Sequence, residues 1–267
     1  MRPSHLCPPF ALVVALAAGT AAPASPRPQR IVSVNLCADQ YLLALADRGQ
    51  IAGLTRNAAD PEMSAAAGHA AGLPLLGPSA EELLAARPDL VVGMGGERVT
   101  AMAAAAGQTP RTLDLGMATS FADIVTQVRA VAAATGHPAR GEKLVADMER
   151  QLASVPRPGR GRIVAHYQRR GYLTGTGTLV DDLIRGVGLV NLAARLGKPA
   201  LSRLSVEELI AARPDFILVE TGTERVADQG TEMLHHPALA AIPRVRLPQA
   251  WTVCGGPSYV RAAKSLA

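Results

Sequence analysis

Ser79-Ala-Glu-Glu-Leu-Leu-Ala-Ala-Arg-Pro-Asp-Leu-Val-Val92 recurs, 126 residues later, as Ser205-Val-Glu-Glu-Leu-Ile-Ala-Ala-Arg-Pro-Asp-Phe-Ile-Leu218. In each copy the serine stands where a helix N-cap belongs, and the two glutamates that follow suit the positive end of the helix dipole. Leu83 and Leu84, or Leu209 and Ile210, supply an apolar face. Pro88 or Pro214 then ends the helix, and a β-rich apolar run follows it. A good helix start accounts for either copy alone. Two copies so alike point to a duplicated helix-turn-strand unit, one in each half of the chain.

Outward from the repeat, short β-like runs alternate with stretches of helical apolar spacing. The strands are expected at Arg30–Val34, Ile51–Leu54, Leu90–Gly93, Thr112–Leu115, Arg162–Ala165, Phe216–Val219 and Val245–Leu247. This is α/β alternation. Between the halves, Ala139–Ser154 reads as one uninterrupted helix with Leu144, Val145, Met148 and Leu152 on a face. At about 1.5 Å per residue it spans roughly 24 Å, enough to bridge two lobes. The expected fold is therefore α/β, with two Rossmann-like lobes joined by a single long helix and a ligand cleft between them. The expected division is a leader at 1–24, an N-terminal lobe at 25–138, the connecting helix at 139–158 and a C-terminal lobe at 159–267.

The leader carries Arg2, an apolar run from Phe10 to Ala18 and the small residues Ala22-Pro23-Ala24, the pattern of a secretory signal peptide. The apolar run falls short of the roughly 20 residues a membrane span needs. Cys7 precedes it and is removed with it, which leaves Cys37 and Cys254 in an exported, periplasmic chain. The net charge is +5 at pH 7 with only 3% aromatic residues, and no Lys/Arg cluster resembles a nucleic-acid footprint. Nucleic acid is not an expected partner.

Taken in order, Arg30-Ile-Val-Ser-Val-Asn-Leu-Cys-Ala-Asp39, Glu81 with Pro88-Asp89-Leu-Val, Thr119-Ser-Phe-Ala-Asp123, Gly175-Thr-Gly-Thr-Leu-Val-Asp-Asp-Leu-Ile184, Ser205–Asp215 and Trp251 cover nearly all of the exported chain. In this order and spacing the chain resembles the periplasmic binding proteins of ABC importers that carry chelated iron and cobalamin, whose lobes are joined by a rigid helix. The resemblance implies a monomeric carrier rather than an enzyme, with no cofactor of its own, a ligand held between the lobes, and delivery to a dimeric permease in the inner membrane. It also implies that one glutamate per lobe docks to permease arginines, at the positions of Glu81 and Glu207. Paired surface carboxylates suit that task, because exposed charge chiefly sets orientation and association rate.

Ligand contacts are expected in loops at the carboxyl ends of strands, where open α/β sheets bind their ligands. The loops are Asn35–Asp39, Gly93–Glu97, His166–Tyr172 and Trp251–Tyr259, and the residues singled out are Cys37, Asp39, Tyr167, Arg169, Arg170, Tyr172, Trp251 and Cys254. Trp251, the sole tryptophan, can stack on a planar or chelating ligand, or serve the core. Adjacent arginines suit a carboxylate-bearing ligand. A ferric siderophore is expected first, with cobalamin or haem as alternatives. Cys37 and Cys254 read either as a disulfide between lobes, as packed thiols or as soft metal ligands.

Two other functions have weaker support. A bare-metal carrier wants clustered His, Asp or Glu ligands, whereas His69, His137, His166, His235 and His236 show no metal-site spacing. A periplasmic thiol-redox enzyme using Cys37 and Cys254 wants its thiols close in sequence. Gly175-Thr-Gly-Thr-Leu-Val180 matches a dinucleotide loop only in part, since valine stands at the third glycine. Neither a nucleophile elbow nor a Walker loop occurs.

Overall fold

The computed structural model describes residues 26–157 and 159–267. The leader reading falls outside the described residues. The chain begins with β1 (Ile31–Ser33), α1 (Leu36–Leu45), β2 (Ile51–Thr55), α2 (Ala67–Ala70), β3 (Leu75–Leu76), α3 (Ala80–Ala85), β4 (Leu90–Val92), α4 (Gly96–Ala105), β5 (Arg111–Leu113) and α5 (Phe121–Thr135). After α6 (Pro138–Ala153) come β6 (Ile163–Gln168), β7 (Tyr172–Thr174), α7 (Leu179–Gly186), β8 (Val190–Asn191), α8 (Leu192–Arg195) and β9 (Leu201–Arg203). The last elements are α9 (Val206–Ala212), β10 (Phe216–Glu220), α10 (Gln229–Glu232), β11 (Arg244–Leu247) and α11 (Ser258–Leu266).

One sheet lies wholly before α6 and the other wholly after it. The first runs β3-β2-β1-β4-β5, all parallel, so its strand order reverses beside β1. The second runs β11-β10-β6-β7-β9 with β8 beside the start of β6, and β7 is antiparallel to both its neighbours. The fold is the two-lobed α/β architecture expected. The antiparallel strands change one expectation: β6 extends to Gln168 and pairs Tyr167 with Leu173, so His166–Tyr172 is mostly strand. Only Arg169–Gly171 turn, with Arg170 and Gly171 both at positive φ.

Side chains alternate across each strand and so feed two layers. Ile31, Leu90 and Val92, with Val164, Phe216 and Leu218, join a core that continues through Val145 and Met148 of α6. The opposite faces carry separate clusters: Val32, Val91 and Leu83 in the first lobe, and Ala165, Ile217, Val219 and Leu209 in the second. The repeat helices α3 and α9 therefore sit on faces turned away from α6.

Each copy of the repeat does the same local work. Ser79 Oγ accepts from Glu81 N at 3.2 Å, and Ser205 Oγ accepts from Glu208 N at 3.1 Å. Arg87 and Arg213 take left-handed conformations (φ 45° and 47°), which stop each helix, and Pro88 and Pro214 follow, where a helix could not continue. The next residue clamps the first strand of its lobe. Asp89 accepts from Gln29 N at 2.6 Å and Arg30 N at 3.0 Å, and Asp215 accepts from Ile163 N at 2.6 Å.

Candidate functional site

The loops after β1, β2, β3 and β4 enclose a cavity of about 750 Å³. Its polar groups come from Asn35, Arg56, Asn57 and Arg98, and its apolar side from Leu76 and Met94, the last 52% exposed. On the other lobe, the loops after β6, β9 and β10 enclose an open cavity of about 780 Å³ that includes Arg170, Arg203, Glu208 and Met233. A third, of about 300 Å³, is lined from the first lobe by Pro61 and Glu62 and from the second by Thr221, Gly222, Pro248 and Gln249. All three lie at carboxyl ends of strands, where the reversal of strand order leaves a crevice.

The lobes are sewn together behind these loops. Cys37, in the first turn of α1, is joined to Cys254 by a disulfide across 217 residues, with the Cα atoms 5.2 Å apart. Gly255 follows so closely that a Cβ there would come within 2.6 Å of the Ala118 side chain and 2.9 Å of Ile124, so glycine is required. Asp182 accepts from Phe121 N at 3.0 Å and from the Tyr259 hydroxyl at 2.7 Å, and the Phe121 and Tyr259 rings lie 5.5 Å apart. Burial, then the bond to Asp182, pushes the Tyr259 phenol up. The seam thus unites three of the segments that carry the family resemblance.

Several residues expected at the ligand belong to the scaffold instead. Asp39 is fully buried, and its carboxylate accepts from Thr55 N at 3.0 Å and from the Thr55 hydroxyl, tying α1 to β2. Burial raises its pKa, and the Thr55 bonds oppose the rise. Tyr167 is fully buried and donates to Leu204 O at 2.8 Å, with burial pushing its phenol up to about 12. Cys37 and Cys254 are consumed by their disulfide, and Cys254 is buried. Trp251 is half-buried against the main core, and its neighbours Pro248 and Gln249, rather than its ring, line the cavity between the lobes.

The other expected residues lie near the cleft. Arg169 is exposed and paired with Asp228, Arg170 lines the C-terminal cavity, and the Arg203 guanidinium stands 5.3 Å over the Tyr172 ring. Glu220, where β10 ends, has its pKa raised by burial, with the charge of Arg169 opposing. Glu81 and Glu207 are both exposed at the starts of α3 and α9. The Glu207 backbone N–H, then the Ser205 hydroxyl, holds its carboxyl below the ordinary glutamate range. Arg56, Asn57, Arg98 and Glu62 escape the sequence reading. The loop after Ile51–Leu54 was open to it, since that run is recognised as a strand, whereas Arg98 lies within a helix and has no such signal.

The glycines of the partial dinucleotide match serve the local backbone, Gly175 by packing and Gly177 by its positive φ of 74°. A Cβ on Gly175 would come within 1.7 Å of Pro199 O, so only glycine lets the end of β7 pass there. Among the described residues no group of three or more His, Cys, Asp or Glu could hold a metal ion. None of their helices is long and apolar enough to cross a membrane.

Two helix-linked α/β lobes that meet over a polar crevice define a two-lobed binding protein. The family described as periplasmic binding protein matches residues 31–247, and the chain belongs to that family. It is thus a binding protein of a transport system rather than an enzyme, and such proteins deliver small ligands to ABC permeases. Similar solved structures include the periplasmic heme-binding protein RhuT from Roseiflexus sp. RS-1 in apo form, with 28% identity and a TM-score of 0.69 over 89% of this chain and 96% of that one. The periplasmic heme-binding protein HutB of Vibrio cholerae has 21% identity and a TM-score of 0.72 over 88% and 96% of the respective chains. The periplasmic vitamin B12 binding protein BtuF of Vibrio cholerae has 17% identity and a TM-score of 0.64 over 90% and 95%. A comparison with curated proteins finds no match.

Proposed function

We propose that the chain is exported by its leader and, as a monomer, captures an anionic metal chelate for an ABC importer, a ferric siderophore first and a cobalamin or haem as alternatives. The observation that carries this reading is the guanidinium content of both walls of the crevice. Arg56 and Arg98 line the cavity of one lobe, and Arg170 and Arg203 that of the other, with Arg169 beside it in its pair with Asp228. Guanidinium groups bind carboxylates and comparable oxyanions by two parallel hydrogen bonds. The large cavity in the first lobe offers amide, guanidinium and thioether groups, and no imidazole, phenol or thiolate lines it. Such a lining suits a metal already saturated by its chelator and recognised at its periphery. Exposed Met94 favours one second reading, haem, whose iron takes thioether ligands and whose propionates would meet the arginines.

Delivery is assigned to Glu81 and Glu207, which project from equivalent helices and so match a permease with twofold symmetry. The test of the ligand is titration of Trp251 fluorescence with ferric siderophores, haem and cobalamin. One chelate class is expected to give saturable quenching, and Arg56→Ala with Arg98→Ala should weaken it by about tenfold or more. A Soret shift abolished by Met94→Ala would select haem. No saturable binding of any chelate, by fluorescence or by calorimetry, would overturn the proposal.

A further inference from the structure

A cavity of about 280 Å³ lies outside the crevice, lined by residues of the first lobe, α6 and the second lobe. Leu43 and Ala44 of α1, Ala66 and Leu144 of α6 make its walls apolar. Its polar lining is Gln40, one turn beyond Cys37, His69 of α2, and Ser258 and Arg261 in the first turn of α11. Gln40 is 3% exposed, yet its Nε2 has no hydrogen-bond partner among the described residues. A buried amide donor with no acceptor is unfavourable, and a ligand oxygen would relieve it.

The α11 terminus adds to this. Its N-cap is Pro257, which supplies no side-chain acceptor, and no acidic residue stands in its first turn. Its dipole, with no acidic residue to offset it, therefore favours an anion at the mouth of this cavity. Arg261 brings a full positive charge to the same place, and the walls are too apolar for a fully hydrated ion. An anionic head with an apolar tail meets both conditions.

We propose that this cavity is a second ligand site, which takes a carboxylate bearing a short aliphatic tail. The head lies between Gln40, Arg261 and the start of α11, and the tail lies along Leu43, Ala44 and Leu144. The volume is near the lower end of the roughly 300–1,000 Å³ typical of ligand pockets, which limits the tail to a medium chain. Because α1, α6 and α11 all contribute, the bound carboxylate is held at the seam between the lobes. The site is independent of the reading of the crevice and stands whatever chelate that crevice takes.

Calorimetric titration of the exported protein with octanoate, octan-1-ol and acetate tests it. Octanoate is expected to bind at one saturable site, with the alcohol and acetate each weaker by about tenfold or more. Exposed Arg261→Gln should reproduce the loss of the charged contact without disturbing the fold, Gln40→Leu should weaken octanoate several-fold, and Leu144→Trp should block it by filling the tail channel. Absence of saturable octanoate binding overturns the proposal. So does octan-1-ol binding as tightly as octanoate, or octanoate binding that Arg261→Gln leaves unchanged.

Discussion

The two copies of the repeat share a backbone and differ in what surrounds them. In both, a serine caps the helix, an arginine turns left-handed before proline, and an aspartate clamps the first strand of the lobe. Those strands also begin alike, as Arg30-Ile-Val and Arg162-Ile-Val. Yet Arg30 Nε donates to Ala86 O at 2.8 Å, covering the end of α3, while the Arg162 guanidinium stands 5.6 Å over the Phe216 ring. The two arginines stand one residue apart in register, since Asp89 N donates to Arg30 O and Asp215 N to Ile163 O, and so they meet different partners. Glu82 reaches back to Gly77 N at 2.6 Å, whereas Glu208 closes a capping box on Ser205 N at 2.8 Å. The duplicated frame is thus held by backbone contacts that tolerate such changes, and the lobes are free to diverge at the ends of their strands.

The largest difference should appear in acid. His166 of β6 pairs with Leu218 as Ser33 pairs with Val92, and so stands where the first lobe has Ser33; it is buried, its Nδ1 has no partner among the described residues, and burial lowers its pKa from 6.5 to about 4. The folded state excludes a proton that the unfolded chain binds, so stability is retained above about pH 6.5 and lost as pH falls toward about 4. The loss is about 3 kcal/mol, and His166→Val should remove most of this pH dependence in urea unfolding followed at pH 7 and pH 4.5.

The clamps come next in size. Asp89 accepts from two backbone groups and Asp215 from one, so Asp89→Ala should cost about 2 kcal/mol and Asp215→Ala about 1, by chemical denaturation. Equal losses would mean that the second bond of Asp89 contributes nothing. The caps should differ least. Ser205→Ala breaks a reciprocal box and should cost about 1 kcal/mol, while Ser79→Ala should cost a few tenths less, because Glu82 anchors to Gly77 without it.

The longer parallel strands of both lobes are legible in sequence because they are buried on both faces and appear as apolar runs. Leu75–Leu76 and Leu201–Arg203 are not. They are short, and Leu201 is 56% exposed, so neither makes a pattern to find. Asp39 and Tyr167 were assigned to the ligand because polar groups beside strand ends usually face solvent. Their partners, Thr55 and Leu204, lie 16 and 37 residues away, and only the fold brings them near. Arg56 and Arg98 are unremarkable in an arginine-rich chain until the loops after β2 and β4 converge on one cavity.

The division of labour between repeated and unrepeated parts rests on Glu81 and Glu207. Uptake of a labelled chelate into vesicles carrying the partner permease, with the chelate saturating the binding protein, tests it most directly. The Glu81→Ala and Glu207→Ala double variant should slow uptake by about tenfold or more while its chelate affinity stays unchanged, since exposed charges orient the encounter with the permease rather than hold the ligand. Uptake at the rate of the unaltered protein, or a parallel fall in chelate affinity, would contradict the assignment.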